Sequence, residues 1–499
     1  MHSTIEEMIR KHAEHTPDKL AIAAMNGDLT YAELLTLANK AAGFLKDRGI
    51  KKSDRVLLSA VPIKEYFAVY FGLHMLGAIC VPAAVNAKQE LLNHIIKNTN
   101  AACFFASEDS GCYEIASITY NEIYSYSGTD NLTDADIQMG DIADIIYTTG
   151  TTGLAKGVVL THEVLEAGAH NIINAVDMQE DEVILAPLPL NHSNALGTMR
   201  AFLYKGASLI VHNGFTNIKS MEERLNSYRC TAFSGAPSGL KIIDRATRGH
   251  IDLFLKNMRY VEIGTAPMDM ELKKKMMQAL PHTRLLINYG ATEAHRAVYM
   301  DLNSHPDKLK SIGKPVKNMA VKIIDEDNQV IQSSENKIGR LVICGKTCMK
   351  GYWNDPALSK KVLAAGGLAT SDLAYIDKDG FIFLVGRAND VINVGGKKVS
   401  PFEIEDALMT NEKIVDCACI PVKDKNSILG NVPIMFVVVR KDRIVEKNEL
   451  KNYLLKKLET YKIPVEFIEI EELPKNYVGK LDRERLKNIW ETRYKQNDK

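Results

Sequence analysis

The chain has 499 residues, 46% of them apolar, with 62 basic and 62 acidic side chains and no formal net charge at pH 7. That length exceeds one compact core and predicts two or more globular domains. The charge balance excludes the basic footprint that nucleic acid or an anionic membrane requires, which leaves small-molecule chemistry.

The amino terminus, MHSTIEEMIRKHAEH, reads as an amphipathic helix that carries acids and lacks the apolar core of a secretion signal, so a cytoplasmic location is expected. Thr30-Tyr31-Ala32-Glu33 has the spacing of a capping box. The helix it opens buries Leu34, Leu37, Ala38, Ala41 and Leu45 and stops near Gly49. After a strand at Arg55 to Ser59, the uncharged run Tyr66 to Ala87 is about as long as a bilayer span. Gly72, His74, Gly77 and Pro82 divide it into a short helix, Tyr66 to Leu76, and a buried strand, Ala78 to Val81, so no membrane span is expected. Ser107 to Gly140 is polar and reads as a long surface connection.

Strand-like runs (RVLLSA, AICVPA, ACFFA, DIADIIY, EVILAPL, ASLIVH, TAFSG, RYVEIG, RLLINYG) alternate with helical ones, which implies mixed or parallel sheets covered by helices. After about Gly339 the character changes to short strands and hairpin turns. A small α+β domain follows, with helices from Pro401 to Met409 and Glu449 to Thr460 and strands DCACIPV and PIMFVVVR. The fold class is therefore α/β, with a large domain over 1–388 and a small one over 389–499. The eight cysteines lack metal-knuckle or redox spacing and read as reduced, mostly buried thiols.

The most informative run is Ile146 to Thr161, IYTTGTTGLAKGVVLT. Gly150, Gly153 and Gly157 let the backbone bring N–H groups to an anion; Thr148, Thr149, Thr151 and Thr152 add short donors and Lys156 a point charge. A phosphate cradle and a polar surface hairpin both fit this composition. A Walker loop does not, because Gly157 and a strand-like run follow the lysine. Four further clusters stand out: Tyr289-Gly290-Ala291-Thr292-Glu293 after the strand RLLIN; Gly264-Thr265-Ala266; Thr370-Ser371-Asp372, whose carboxylate can accept both hydroxyls of a ribose; and Gly386-Arg387. Singly each reads as turn or cap chemistry. The last strong signal is LPKNYVGKL, with Lys480 after Gly479.

With these motifs in this order from Thr30 to Lys480, the sequence resembles the adenylate-forming superfamily of acyl-CoA synthetases, peptide-synthetase adenylation domains and firefly luciferase, most of all its acid:CoA ligases. The resemblance implies two reactions: a carboxylate attacks the α-phosphate of ATP to give an acyl-adenylate and pyrophosphate, and a thiol then displaces AMP. By the same resemblance Thr148, Thr149, Gly150, Thr151, Thr152, Gly153 and Lys156 hold the β- and γ-phosphates, Glu293 binds Mg²⁺ and Thr292 donates to the α-phosphate. Tyr289 and Gly290 with Gly264, Thr265 and Ala266 form the adenine site, and Asp372 and Arg387 fix the ribose. Lys480 reaches the reacting oxygens, where charge builds in the transition state. The resemblance further makes Asn389 the expected hinge of a mobile small domain, and Gly395 and Gly396 the expected lining of a channel for the pantetheine thiol of coenzyme A.

Four departures from the family pattern, Ala155, Thr149, Ser371 and Asn389, remove no catalytic group. Leu188-Pro189-Leu190-Asn191-His192-Ser193 lacks the aspartate that pairs with the ammonium of an amino acid, so a fatty or aryl acid is expected, with His192 over its carboxylate. Asn194, Ala195, Leu196, Gly197, Ser234 and Gly235 would line the acyl pocket. Arg296 is expected in an outward salt bridge; inward, it would suit an acid with a second carboxylate or polar substituent. The alternatives are a free-standing enzyme that loads a carrier-protein pantetheine, and a non-catalytic nucleotide-binding relative.

Overall fold

Two mixed sheets carry the large amino-terminal domain in the computed structural model, which describes residues 3–107, 113–128, 136–148, 155–364, 366–388, 390–424, 429–440, 442–475 and 481–497. The seven-stranded sheet runs, in spatial order, Gly351–Tyr352, Lys156–Thr161, Ile142–Thr148, Ile79–Ala83, Arg55–Ser59, Cys103–Ala106 and Ala116–Thr119. The nine-stranded sheet runs Lys314–Pro315, Ala294–Asp301, Arg284–Ala291, Tyr260–Ile263, Ala232–Gly235, Val183–Ala186, Ser208–Val211, Leu20–Ala24 and Gly27–Thr30. Their centres are parallel and their hairpins antiparallel, which is why central strands such as Ile79–Ala83 are apolar and buried throughout. One apolar cluster joins both sheets, containing Ile22 and Val211 from one and Val56 and Ile146 from the other.

Helices fill the space between. Tyr31–Asp47 starts as its sequence predicts, with the Thr30 hydroxyl accepting from Glu33 N–H and the Glu33 carboxylate from Thr30 N–H. The divided apolar run is helix Lys64–Met75, buried from Glu65 onward, followed by strand Ile79–Ala83. Among the described residues no helix is long and apolar enough to cross a membrane. The described cysteines are all free, and five are buried.

A four-stranded antiparallel sheet, Met319–Ile324, Gly339–Gly345, Leu368–Ile376 and Ile382–Arg387, completes the large domain. The smaller carboxyl-terminal domain holds a hairpin (Ile392–Val394 and Lys397–Val399) and a sheet of Ile414–Lys423, Asn431–Val439 and Glu466–Glu469. Alternation works on both faces of that sheet. Cys417, Cys419, Met435, Val437 and Phe467 pack beneath helices Pro401–Met409 and Lys447–Leu455, while Ala418, Ile420, Ile434, Phe436 and Ile468 pack with Leu486 of helix Arg483–Asn497.

Two expectations are corrected. Ser107 to Gly140 is more than a surface connection: strand Ala116–Thr119 pairs at the sheet edge, and a 3-10 turn, Tyr120–Ser125, buries Tyr120, whose hydroxyl donates to Ser59 O at 2.6 Å. The helix expected from Glu449 to Thr460 spans Lys447–Leu455, because Lys457 and Leu458 N–H both turn back to Leu454 O.

The core also closes over charge. Asp144, fully buried on strand Ile142–Thr148, accepts from His74 Nε2 at 3.1 Å, from the Tyr70 hydroxyl at 3.0 Å and from Arg200. His74 Nδ1 lies 2.8 Å from Glu6 Oε1 on the amino-terminal helix Ile5–His15. Burial opposes charge on both groups, but Glu6 and Asp144 together push His74 up to about 9, and His74 draws Glu6 down to about 2. His162, 3.8 Å from Glu6, is held neutral by burial, its pKa lowered to about 4. Two carboxylates therefore face one imidazolium and one guanidinium, and the cluster is neutral without a metal ion.

The raised His74 pKa has a stability consequence of defined sign. The folded protein binds that proton more tightly than the unfolded chain, so the stabilisation is complete below about pH 6.5 and disappears as pH rises through about 9. Urea unfolding across that window should show a loss on the order of 3 kcal/mol. His74→Gln should be less stable at pH 6.5 and should lack this alkaline slope.

Candidate active site

Strand Arg284–Ala291 turns into Ala294–Asp301 through Thr292 and Glu293 alone, with Ala291 opposite Ala294. The pairing carries the strand past Asn288, where the RLLIN run ends, so Tyr289 and Gly290 lie within the ladder and the hydroxyl and carboxylate occupy its turn. A Cβ on Gly290 would meet Arg296 N at 2.7 Å and Ala294 O at 2.8 Å, which restricts this position to glycine.

On one side of this strand end the structure brings together three of the predicted adenosine residues. The Tyr289 hydroxyl donates to Asp372 Oδ2 at 2.5 Å, and Asp372 lies opposite Arg387 in the ladder, with Arg387 Nε 3.7 Å from Oδ1. Burial, reinforced by the Asp372 charge, pushes the Tyr289 phenol far up, so it stays a donor. Asp372 N–H donates to Thr370 Oγ1 at 3.1 Å, which holds the backbone that carries the carboxylate. Gly264 closes strand Tyr260–Ile263 beneath two amides, where a Cβ would come 2.6 Å from both Asn194 Nδ2 and Asn288 Oδ1. Thr265 and Ala266 follow it at the surface.

The base of the glycine–threonine loop belongs to a second cluster. Thr148 and Lys156 face each other at the open end of an antiparallel hairpin, and Thr149, Gly150, Thr151, Thr152 and Gly153 between them fall outside the described residues. Strand Gly351–Tyr352 adds to Lys156–Thr161 and delivers the Tyr352 hydroxyl to Glu293 Oε1 at 2.8 Å, with Lys156 Nζ 5.9 Å from the same ring. Thr292 Oγ1 is 3.2 Å from Ser193 Oγ. Tyr352 is a functional candidate that the sequence reading missed. Its signal was Gly351-Tyr352-Trp353, a glycine with two aromatics just before Pro356. A half-buried carboxylate oriented by a phenol and standing near an ammonium suits a divalent cation shared with phosphate oxygens, so Glu293 fits Mg²⁺.

The residues expected around the acid sit at the start of helix Ser193–Lys205, which His192 precedes. Ala195 and Leu196 belong to the apolar core, whereas Asn194 faces Gly264 and Arg296. The His295 ring occupies the notch at Gly197, where a Cβ would approach Cε1 to 2.0 Å; burial, with Arg200 nearby, lowers its pKa to about 3 and keeps it neutral. Ser234 and Gly235 end strand Ala232–Gly235, with Ser234 opposite Glu262.

Arg296 departs from its expected outward bridge. It points inward with 1% exposure, at φ +52°, and pairs with Glu262, equally buried. The tight turn before it sends its side chain back under Asn194, and Glu262 is the carboxylate waiting there.

Gly395 and Gly396 stand apart, in the turn of the small domain's hairpin with φ of +57° and +85°. Gly395 borders a cavity of about 280 Å³ shared with Lys397, Leu429, Tyr461 and Ile463. Asn389 and Lys480 fall outside the described residues.

Two family models match the chain, AMP-binding enzyme over residues 9–353 and AMP-binding enzyme C-terminal domain over 403–480. The 4-coumarate–CoA ligase CCL1 of Humulus lupulus is 30% identical, covering 92% of this chain and 88% of the relative. Among solved structures, ATP-bound MatB from Rhodopseudomonas palustris superimposes with a TM-score of 0.89 at 23% identity, covering 98% of this chain and 99% of that one. The o-succinylbenzoate CoA synthetase of Bacillus subtilis, in complex with its acyl-adenylate, gives 0.86 at 24%, covering 96% and 97%.

Two substitutions test the clusters. Asp372→Ala removes the acceptor that Tyr289 and Arg387 hold and should weaken ATP binding about 10- to 100-fold by calorimetry, the loss expected for hydrogen bonds to a charged group. Tyr352→Phe deletes one hydroxyl and should raise the Mg²⁺ concentration needed for half-maximal turnover about tenfold. Circular dichroism should be unchanged in both.

Proposed function

The chain belongs to the AMP-binding enzyme family, the adenylate-forming superfamily near its acid:CoA ligases, and on that premise we propose that it joins a monocarboxylic acid, aryl rather than long-chain fatty, to coenzyme A. It is an AMP-forming acid:CoA ligase that uses ATP, Mg²⁺ and coenzyme A. The observation that carries the proposal is the end of strand Arg284–Ala291. Within five residues it joins the Tyr289–Asp372–Arg387 cluster to the Glu293–Tyr352–Lys156 cluster, two groups suited to opposite ends of one nucleotide.

In the first reaction an acid oxygen bonds to the α-phosphorus as the bond to the β-phosphate bridge breaks, and pyrophosphate leaves. A carboxylate attacking a polyanion is slow, so the protein contributes position and charge neutralisation. Tyr289 and Asp372 fix the nucleoside, Thr292 donates at the α-phosphate, and Lys156 with the threonine loop draws the departing charge. Glu293 would hold Mg²⁺, which would supply neutralisation of phosphate charge there. Lys480 supplies a second ammonium at the reacting oxygens, and His192 orients the carboxylate. In the second reaction the thiol bonds to the acyl carbon and AMP leaves. We assign the domain boundary to 388/389, the hinge to Asn389 and the thiol path to Gly395 and Gly396. Free coenzyme A is favoured as the thiol carrier by the 4-coumarate–CoA ligase relative, whose name also favours an aryl acid.

Pyrophosphate release over a panel of aryl, short-chain and long-chain acids, with and without coenzyme A, tests the reading. Aryl acids should lead and coenzyme A should accelerate AMP release. Release with amino acids alone would overturn it. Lys480→Ala should lower adenylate formation at least 100-fold, the scale of one transition-state donor, while sparing thioester formation from supplied acyl-adenylate.

A further inference from the structure

We infer that the buried Glu262–Arg296 pair is a charge filter that bars a second carboxylate from the acid pocket and confines the enzyme to acids whose far end is neutral. The inference rests on the reading that Asn194, Gly197 and Ser234 border that pocket.

Sheet register sets the location. Ser234 and Glu262 are cross-strand partners, Glu262 is paired to Leu286, and Asn288, two residues on, is opposite Tyr299, so Ser234, Glu262, Asn288 and Tyr299 share one face. That face looks toward helix Ser193–Lys205, from which Asn194 and Thr198 project. Arg296 lies between helix and sheet.

Every edge of its guanidinium is occupied. Nη1 donates to Glu262, Nη2 to Asn194 O and Oδ1, both at 3.2 Å, and to Thr198 Oγ1 at 3.0 Å; Nε donates to His295 Nε2 at 3.3 Å. Glu262 Oε1 also accepts from the Tyr299 hydroxyl at 2.5 Å. An arginine at this position without Glu262 would be an unpaired cation beside the pocket, and a substrate carboxylate would be its natural partner. With Glu262 in place the positive charge is already cancelled. An incoming carboxylate would then have to displace Glu262 into a core where neither group is more than 1% exposed, or stand beside it as a like charge. The neutral His295 ring, filling the Gly197 notch next to Arg296, adds no compensating charge.

The test uses matched acids, hexanoate against hexanedioate and cinnamate against 4-carboxycinnamate, in ATP-dependent pyrophosphate release. The wild-type protein should prefer the mono-acid of at least one pair by 100-fold or more in kcat/KM. Glu262→Gln should narrow that ratio at least tenfold through a lower KM for the di-acid, with KM for ATP unchanged. Removing both charges together, Glu262→Leu with Arg296→Leu, should leave di-acids rejected. Wild-type turnover of di-acids within tenfold of the mono-acids would overturn the inference, as would a folded Glu262→Gln enzyme with an unchanged ratio. Should Glu262→Gln not fold, the wild-type ratio and the doubly substituted enzyme decide. Release with neither class of acid would instead sink the ligase reading on which the filter depends.

Discussion

A two-residue turn between strands Arg284–Ala291 and Ala294–Asp301 is the constraint around which the site is built. Its closeness leaves no room for a Cβ at Gly290 and holds Arg296 in the left-handed region, a conformation that a non-glycine residue adopts only when its surroundings fix it. In return, one stiff ladder spaces Tyr289, Thr292, Glu293 and Arg296 rigidly. Each then meets a different part of the molecule: Asp372 of the four-stranded sheet, Ser193 at a helix start, Tyr352 at the edge of the seven-stranded sheet, and Glu262 of a neighbouring strand. Site geometry of this kind tolerates little error, because misplacement by about an ångström can cost on the order of 100-fold in rate.

Two buried ion networks obey one rule. Asp144, Glu6, His74 and Arg200 sum to zero, as do Glu262 and Arg296. A charge taken from water is tolerable only when its partner comes with it and the remaining hydrogen-bonding capacity is filled. Such pairs add little net stability over apolar packing, but removing one member leaves the other stranded. Their effect is specificity of arrangement. The first network ties the amino-terminal helix to the strand that leads to Thr148, and the second ties helix Ser193–Lys205 to the nine-stranded sheet.

The architecture was legible in the sequence wherever burial left a local trace. Runs such as ICVPA are apolar because both faces are covered, and the Thr30 capping box announces a helix from four adjacent residues. Strand Ala116–Thr119 was missed because it is an edge strand with only Ile118 buried and so presents no apolar run. The clusters at Tyr289 and Glu293 were legible as motifs, and Tyr289, Asp372 and Arg387 do meet. Tyr352 and Glu262 were not, for a common reason: each acquires meaning only from a partner distant in the chain, Glu293 at 59 residues and Arg296 at 34. Arg296 was misread because a surface bridge is the ordinary fate of an arginine. Its side-chain direction is dictated by a turn whose tightness no local composition reveals.

Strand Gly351–Tyr352 has a bearing on biosynthesis. It pairs with Val158 and Val159, laid down nearly two hundred residues earlier, and its tyrosine reaches the Glu293 turn in between. A nascent polypeptide emerging from the ribosome can therefore form the interior of the seven-stranded sheet long before its outermost member exists. Until that member arrives, strand Lys156–Thr161 presents an open hydrogen-bonding edge and Glu293 lacks its phenol. Pairings of such long range are slow to nucleate and leave edges adhesive in the interim. The half-made chain thus carries an uncovered strand edge during the interval when the cluster at Glu293 is still incomplete.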